Sequence, residues 1–218
     1  MNNKNRKSLF ITIEGIEGAG KSTNAKLVVE YLNNLKLQVL HTREPGGTLI
    51  AEKIRDILLQ QDINEPITNQ AELLLLFAAR SQHLENLIIP ALNIGTFVVC
   101  ERFTDASFAY QGAGRGLNLK DISYLEHFVQ NNLRPDLTLL FDLDVKIGLE
   151  RVKKRGALDR IEQEKIDFFT KVRDMYLQLA QQNANRYIVI DASEDPVVIK
   201  KQIILMLDQV LYDNTLFK

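Results

Sequence analysis

The sequence predicts an α/β fold, an open five-stranded parallel sheet with helices on both faces. Three observations carry this expectation. Five short apolar runs recur along the chain, helical patterns separate them, and a glycine-rich segment joins the first run directly to the first helix. Parallel neighbours need long crossover connections, and helices supply them on both faces of the sheet.

The first run, 8–14 (SLFITIE), is β-branched, aromatic and apolar and stops at Gly15, the pattern of a strand buried on both faces. After Lys21, apolar side chains at Ala25, Val28, Val29, Leu32 and Leu35 have the spacing of one helix face. Further strands are expected at 38–42, 96–100, 137–142 and 187–191. Helices are expected at 48–60, at 70–94 with a kink at Pro90, and at 119–131, 145–155 and 164–183. Ile199, Ile203, Leu207 and Val210 mark a closing helix, the segment 61–69 reads as a connection, and the ends 1–6 and 213–218 are expected to fray. In open parallel sheets ligands bind beyond the carboxyl ends of the strands, so function is sought just after residues 14, 42, 100, 142 and 191.

Composition narrows the function classes. The 218 residues fit one domain, 1–218, and a 45% hydrophobic, 25% charged composition is that of a globular chain. Lysine and arginine number 27 against 28 acidic residues, so the net charge of −1 gives no field toward nucleic acid or anionic lipid. Neither is expected as a partner, and any basic site must be local. The single cysteine, Cys100, cannot form an internal disulfide, and there is no signal-peptide pattern or roughly 20-residue apolar span. A soluble, cytoplasmic protein is expected. His41, His83 and His127 are dispersed, so no structural-zinc cluster is expected.

Residues 15–22, GIEGAGKS, match G-x-x-x-x-G-K-[ST] between a strand and a helix, the setting of a P-loop NTPase-type fold. Gly15, Ile16, Glu17, Gly18, Ala19 and Gly20 form a loop whose backbone N–H groups can wrap a polyphosphate at a helix N-terminus. Lys21 would reach the β- and γ-phosphates of ATP, and Ser22, with Thr23 beside it, would offer a hydroxyl to Mg²⁺. A guanine-reading Asn-Lys-x-Asp is missing, the only Asn-Lys pair being Asn3-Lys4, which argues against a GTPase. The third strand runs into Glu101-Arg102 and not a Walker B acidic pair. A carboxylate followed by an arginine suits a site holding Mg²⁺-bound water and a second phosphate, hence a kinase with a phosphorylated acceptor.

GIEGAGKST at 15–23, TREPGGT at 42–48, FAAR at 77–80, ERFTDASFAYQGAGRG at 101–116, RPDLTLLFDLD at 134–144 and RVKKRGALDRIE at 151–162 stand in order. Together they resemble the bacterial type of thymidylate kinase, over residues 8–191. The resemblance implies a homodimer, a short lid at about 151–162, and the reaction of ATP with dTMP to give ADP and dTDP. It implies that Phe77 stacks on thymine, Arg80 donates to the base, and Arg102 holds the acceptor phosphate. Arg43 and Pro45 would shape the acceptor pocket, and Ser107, Tyr110 and Gln111 would line the sugar and base. Glu17 would sit among catalytic and acceptor groups. Glu101, where the family more often carries Asp, would serve the metal directly or through water. Gly18 stands where eukaryotic relatives carry an arginine, so the transferring group needs another cation, and the resemblance assigns Arg155 and Arg160 to the lid that closes over ATP. The alternatives are another nucleoside monophosphate or deoxynucleoside kinase and, from a different class, a nucleotide-switched ATPase without acceptor.

Overall fold

The computed structural model describes residues 8–60, 65–156 and 158–213. The fraying expected at 1–6 and most of 213–218, and the connection at 61–64, lie outside them. The elements run β1 (Phe10–Glu14), α1 (Lys21–Asn34), β2 (Val39–Arg43), α2 (Leu49–Leu59), α3 (Asn69–His83), α4 (Ile89–Asn93) and β3 (Phe97–Glu101). They continue through α5 (Thr104–Ser107), α6 (Leu119–Gln130), β4 (Leu137–Asp142), α7 (Val145–Arg155), α8 (Ile166–Gln182), β5 (Tyr187–Asp191) and α9 (Pro196–Asp208).

The strands form one five-stranded, all-parallel sheet, as the sequence predicts, and the structure sets their order as β2-β3-β1-β4-β5. Side chains alternate across it. From β1, Ile11 and Ile13 enter the larger core with Val28 and Leu32 of α1, whereas Phe10 faces Leu84, Ile88 and Phe103 on the opposite side. At the sheet's centre the Thr12 and Thr138 hydroxyls, 2.9 Å apart, satisfy each other. The chain leaves β1 toward β2 on one side and leaves β3 toward β4 on the other, which opens a crevice above the β1–β3 pair. The glycine loop and Arg102 occupy that crevice.

Three local readings needed correction. Strands two and three extend to Arg43 and Glu101, because Glu101 continues the ladder opposite both Ile13 and Arg43. The helix expected at 70–94 is interrupted ahead of Pro90. A π-helical turn at Leu84–Ile88 widens the rod before α4, and Pro90 falls in the first turn of α4, where a missing N–H is tolerated. Residues 104–114, given no element from sequence, form α5 and a π-helical turn at Phe108–Gly114. That turn packs on α8, with the Tyr110 ring edge-on to Phe168 and Tyr176. It carries Tyr110 and Gln111 to the crevice.

Candidate active site

The loop after β1 departs from ordinary backbone at Gly15, Gly18 and Gly20, with φ of 138°, 75° and 83°. Gly20 caps α1 without a side-chain hydrogen bond, in contrast to Thr48, Thr68, Asp144 and Asp195, which cap their own helices. The first N–H groups of α1 are thus left for an anion. Lys21 folds back, its Nζ donating to the Ile16 carbonyl at 2.6 Å. Burial, then the nearby Arg102 charge, push its ammonium from 10.5 down to about 7.

Two cavities open above the sheet. The first, on the side where the sequence places the phosphate donor and so called the donor side, is lined by Gly18, Gly20, Lys21, Ser22 and Thr23 of the loop and by Arg43, Glu101, Arg151 and Arg155. The second is lined by Pro45, Leu76, Arg80, Phe103, Ser107 and Gln111, among others. Glu17, Glu44, Arg55, Arg102 and Asp159 line both, so the two spaces share a charged wall. Gly15, Ile16 and Ala19 line neither. Ile16 and Ala19 are buried in the core, while the Gly15 and Ile16 carbonyls hold Arg102 and Lys21.

Arg102 is the hinge of that wall. It is a non-glycine residue at φ 65°, a costly left-handed conformation concentrated at functional sites. Its Nη2 meets Glu17 Oε1 at 2.7 Å, and its Nη1 donates to the Gly15 carbonyl at 3.2 Å and to the Tyr176 hydroxyl at 3.3 Å. The Tyr110 hydroxyl also donates to Glu17, at 2.8 and 2.7 Å to its two oxygens. Beneath them, fully buried Glu14 accepts from the Phe103 N–H and the Tyr176 hydroxyl, each at 2.7 Å. Burial first, then Asp105, raise its carboxyl from 4.5 to about 7.

Arg80 ends the second cavity. It is 2% exposed, its Nε donates to Glu44 at 2.7 Å, and its Nη2 donates to Ser107 Oγ at 3.1 Å and to the Phe103 carbonyl at 3.2 Å. Its Nη1 is buried and has no partner, a costly vacancy that a ligand acceptor would fill. Ser22 Oγ donates to Glu101 Oε2 at 2.5 Å across the donor-side cavity. Among the described residues no group of three or more His, Cys, Asp or Glu side chains is placed to hold a metal ion. One hydroxyl and one carboxylate fit Mg²⁺, which typically takes one or two protein oxygens and completes its shell with phosphates and water.

Several sequence expectations are relocated. Phe77 does not reach the cavity. It packs in the core with Leu73 and Ile122, its ring under the Arg80 guanidinium at 4.6 Å, and Leu76, one position earlier, lines the wall with Phe103. Arg43 faces the donor side, where it pairs with Glu52 at 2.8 Å. Arg160 lies on the second cavity, not over the glycine loop, donating to Glu72 at 2.6 Å and to the Leu58 carbonyl at 2.8 Å. Arg155 does face the donor side and pairs with Glu162. Sequence reasoning missed Arg55, Glu72, Leu76, Phe103 and Arg151. Phe103 and Arg151 had a signal, since they fall inside the motifs at 101–116 and 151–162.

A family model for thymidylate kinase matches residues 13–203. The chain belongs to the thymidylate kinase family. Thymidylate kinases of Pseudomonas fluorescens and Ectopseudomonas mendocina are each 53% identical to it over 203 residues, covering 93% of this chain and 96% of theirs. The crystal structure of thymidylate kinase from Ehrlichia chaffeensis shares the fold with a TM-score of 0.77 and 31% identity, over 93% of this chain and all of that one.

Proposed function

We propose that this chain, acting as a single domain, transfers the γ-phosphoryl group of ATP to dTMP, giving dTDP and ADP for dTTP synthesis. The observation that carries this reading is the shared wall. A glycine-loop cavity and a cavity ending in a buried arginine with one unpartnered nitrogen, Arg80 Nη1, meet at Arg102 and Glu17. Two phosphate-bearing ligands entering from opposite sides would bring their reacting ends together there.

In this reading the α1 N-terminus and Lys21 hold the ATP phosphates, and Arg102 holds the dTMP phosphate in line with the γ-phosphorus. Ser22 and Glu101 would hold Mg²⁺, which when bound neutralises charge on the β- and γ-phosphates. The acceptor needs no strong base, since a phosphate monoester with a second pKa of about 6 is already anionic near neutrality. Glu17, held by Arg102 and Tyr110, orients the arginine and faces the sugar, and the Tyr110 ring crowds the 2′ position. Arg80 Nη1 donates to O4 of thymine, Gln111 faces its N3 edge, and Leu76 and Phe103 supply the apolar wall. Arg155, with Arg151, supplies the cation absent from the loop at Gly18.

The reading extends to a cytoplasmic homodimer. Among the described residues no helix is long and apolar enough to cross a membrane. An ADP-release assay over a panel of nucleoside monophosphates tests the substrate. dTMP should be best, dUMP weaker for want of the methyl group, and dCMP, AMP and GMP poor. CMP or AMP as the best acceptor would overturn the assignment.

A further inference from the structure

Glu72 belongs to α3 and is 1% exposed, yet it lines the acceptor cavity. Its Oε1 accepts from Gln111 Nε2 at 2.7 Å and from Arg115 Nε at 3.3 Å. Its Oε2 accepts from Arg160 Nη2 at 2.6 Å and from Arg115 Nη2 at 3.3 Å. Burial opposes the charge, but Gln111 and the two arginines outweigh it and hold the carboxyl below its ordinary range. An ionised carboxylate has no proton to give, so it can meet only the NH₂ side of the Gln111 amide. That fixes which end of the amide is left for the cavity.

We infer that Glu72 is a specificity-determining positioning residue, which locks the Gln111 amide with its carbonyl oxygen toward the acceptor base. The inference rests on the reading that Arg80 and Gln111 face that base. With the amide locked, the cavity offers one donor, Arg80 Nη1, beside one acceptor, Gln111 Oε1. Thymine and uracil present the complement, an acceptor at O4 and a donor at N3. Cytosine presents the reverse, an amino donor at position 4 and an acceptor at N3, and is opposed at both points. Without the carboxylate the lock reverses. In Glu72→Gln, Arg115 and Arg160 still demand an oxygen, so the new amide turns its NH₂ toward Gln111. Gln111 must then accept with its own oxygen and present Nε2 to the base, a partner for cytosine N3 and a clash with thymine N3–H.

The test is the ratio of kcat/KM for dTMP to that for dCMP in wild type, Glu72→Gln, Gln111→Ala and the double variant, with dUMP as a control. Because sites built on buried polar partners discriminate by orders of magnitude, Glu72→Gln should lower the ratio about tenfold or more. The dTMP to dUMP ratio, which reads only the methyl group, should stay as in wild type. Gln111→Ala should lower the dTMP to dCMP ratio as well, and adding Glu72→Gln to it should change the ratio no further. A merely structural role for Glu72 would depress dTMP and dCMP turnover alike, and an unchanged ratio in Glu72→Gln with a lowered one in Gln111→Ala overturns the inference. An unchanged ratio in Gln111→Ala overturns instead the reading of the base site on which it rests. If Glu72→Gln does not fold, Glu72→Asp keeps the charge for the arginines while withdrawing it from Gln111. It should lower the ratio in the same direction, and an unchanged ratio there also overturns the inference.

Discussion

Lys21 and Arg155 both line the glycine-loop cavity, but they are held in different ways. Lys21 is turned into the loop with its ammonium depressed to about 7, so near pH 8 it is largely neutral until phosphates arrive. Anions beside it favour the charged form, so ATP binding restores its pKa and draws a proton from solution. The sign is definite. Uptake should approach about one proton near pH 8, where ATP is fully ionised, and this contribution should vanish near pH 6, where Lys21 is already charged. Titration calorimetry in buffers of different ionisation enthalpy measures it, and Lys21→Met should lose the uptake. Lys21→Ala should leave the fold intact and nearly abolish transfer.

Arg155 is 65% exposed and paired with Glu162, an ion pair worth about 0 to 1 kcal/mol at such a surface. Arg155→Ala should therefore change Tm little. If Arg155 turns to the transferring group, the same variant should lose about 10³ or more in kcat while dTMP affinity, measured by titration, holds. Arg155→Lys should recover only part, since an ammonium keeps the charge and loses the planar fork. A normal kcat in Arg155→Ala would move the role to Arg151, whose Nη1 already reaches the Gly18 carbonyl at 3.3 Å.

At the scale of elements, the donor side depends on how closely α7 approaches the glycine loop. Gly18 and Gly148 meet backbone to backbone. A Cβ on Gly18 would collide with the Gly148 carbonyl, and a Cβ on Gly148 would stand 2.5 Å from the Glu17 carbonyl oxygen. This contact sets Arg151 and Arg155 on the wall of the glycine-loop cavity, and it accounts for glycine at position 18. In an open helix interior, glycine to alanine would stabilise by roughly 1 kcal/mol. Here the backbone contact reverses the sign. Gly148→Ala should lower Tm and weaken ATP binding, while dTMP binding changes much less. A raised Tm with unchanged ATP affinity would mean that α7 does not abut the loop.

The elements also show how far sequence reading reaches. All five strands and the glycine loop were legible: β1, β3 and β4 are buried on both faces and read as continuous apolar runs, the half-exposed edge strands β2 and β5 read as short apolar runs between helical patterns, and the loop motif is local. The helix at 104–114 was not. FAYQGAG has two glycines and no apolar stripe, and its π-helical turn is held by packing on α8. Phe77 and Leu76 are adjacent on one helix. Which of them meets the cavity depends on the rotation of α3 against its neighbours, which periodicity does not fix. Arg160 was read into the wrong cavity for a related reason. Its partners, Glu72 and the Leu58 carbonyl, are distant in sequence, and only the assembled fold brings them together.

At the scale of the molecule, three helices packed in series, α2, α3 and α6, expose large apolar side chains. On α6, Tyr124 and Phe128 are 70% and 72% exposed and lie one turn apart on the same face. Leu74 on α3, which packs against α6, is 56% exposed, and α2, which packs against α3, exposes Leu49, Ile50 and Ile57. Single exposed apolar side chains are ordinary, whereas several on helices that pack against one another are the composition expected of a protein interface. The occupant expected is a second copy of the chain. A two-fold contact uses the same patch on both partners, so one change places two charges in the interface. Phe128→Glu should convert a dimer into a monomer in sedimentation at micromolar concentration, with the monomer's Tm lower. Because α3 also carries Glu72, Leu76 and Arg80, loss of its cover should raise the KM for dTMP more than that for ATP. If wild type sediments as a monomer, or if Phe128→Glu remains dimeric, this face is not the interface.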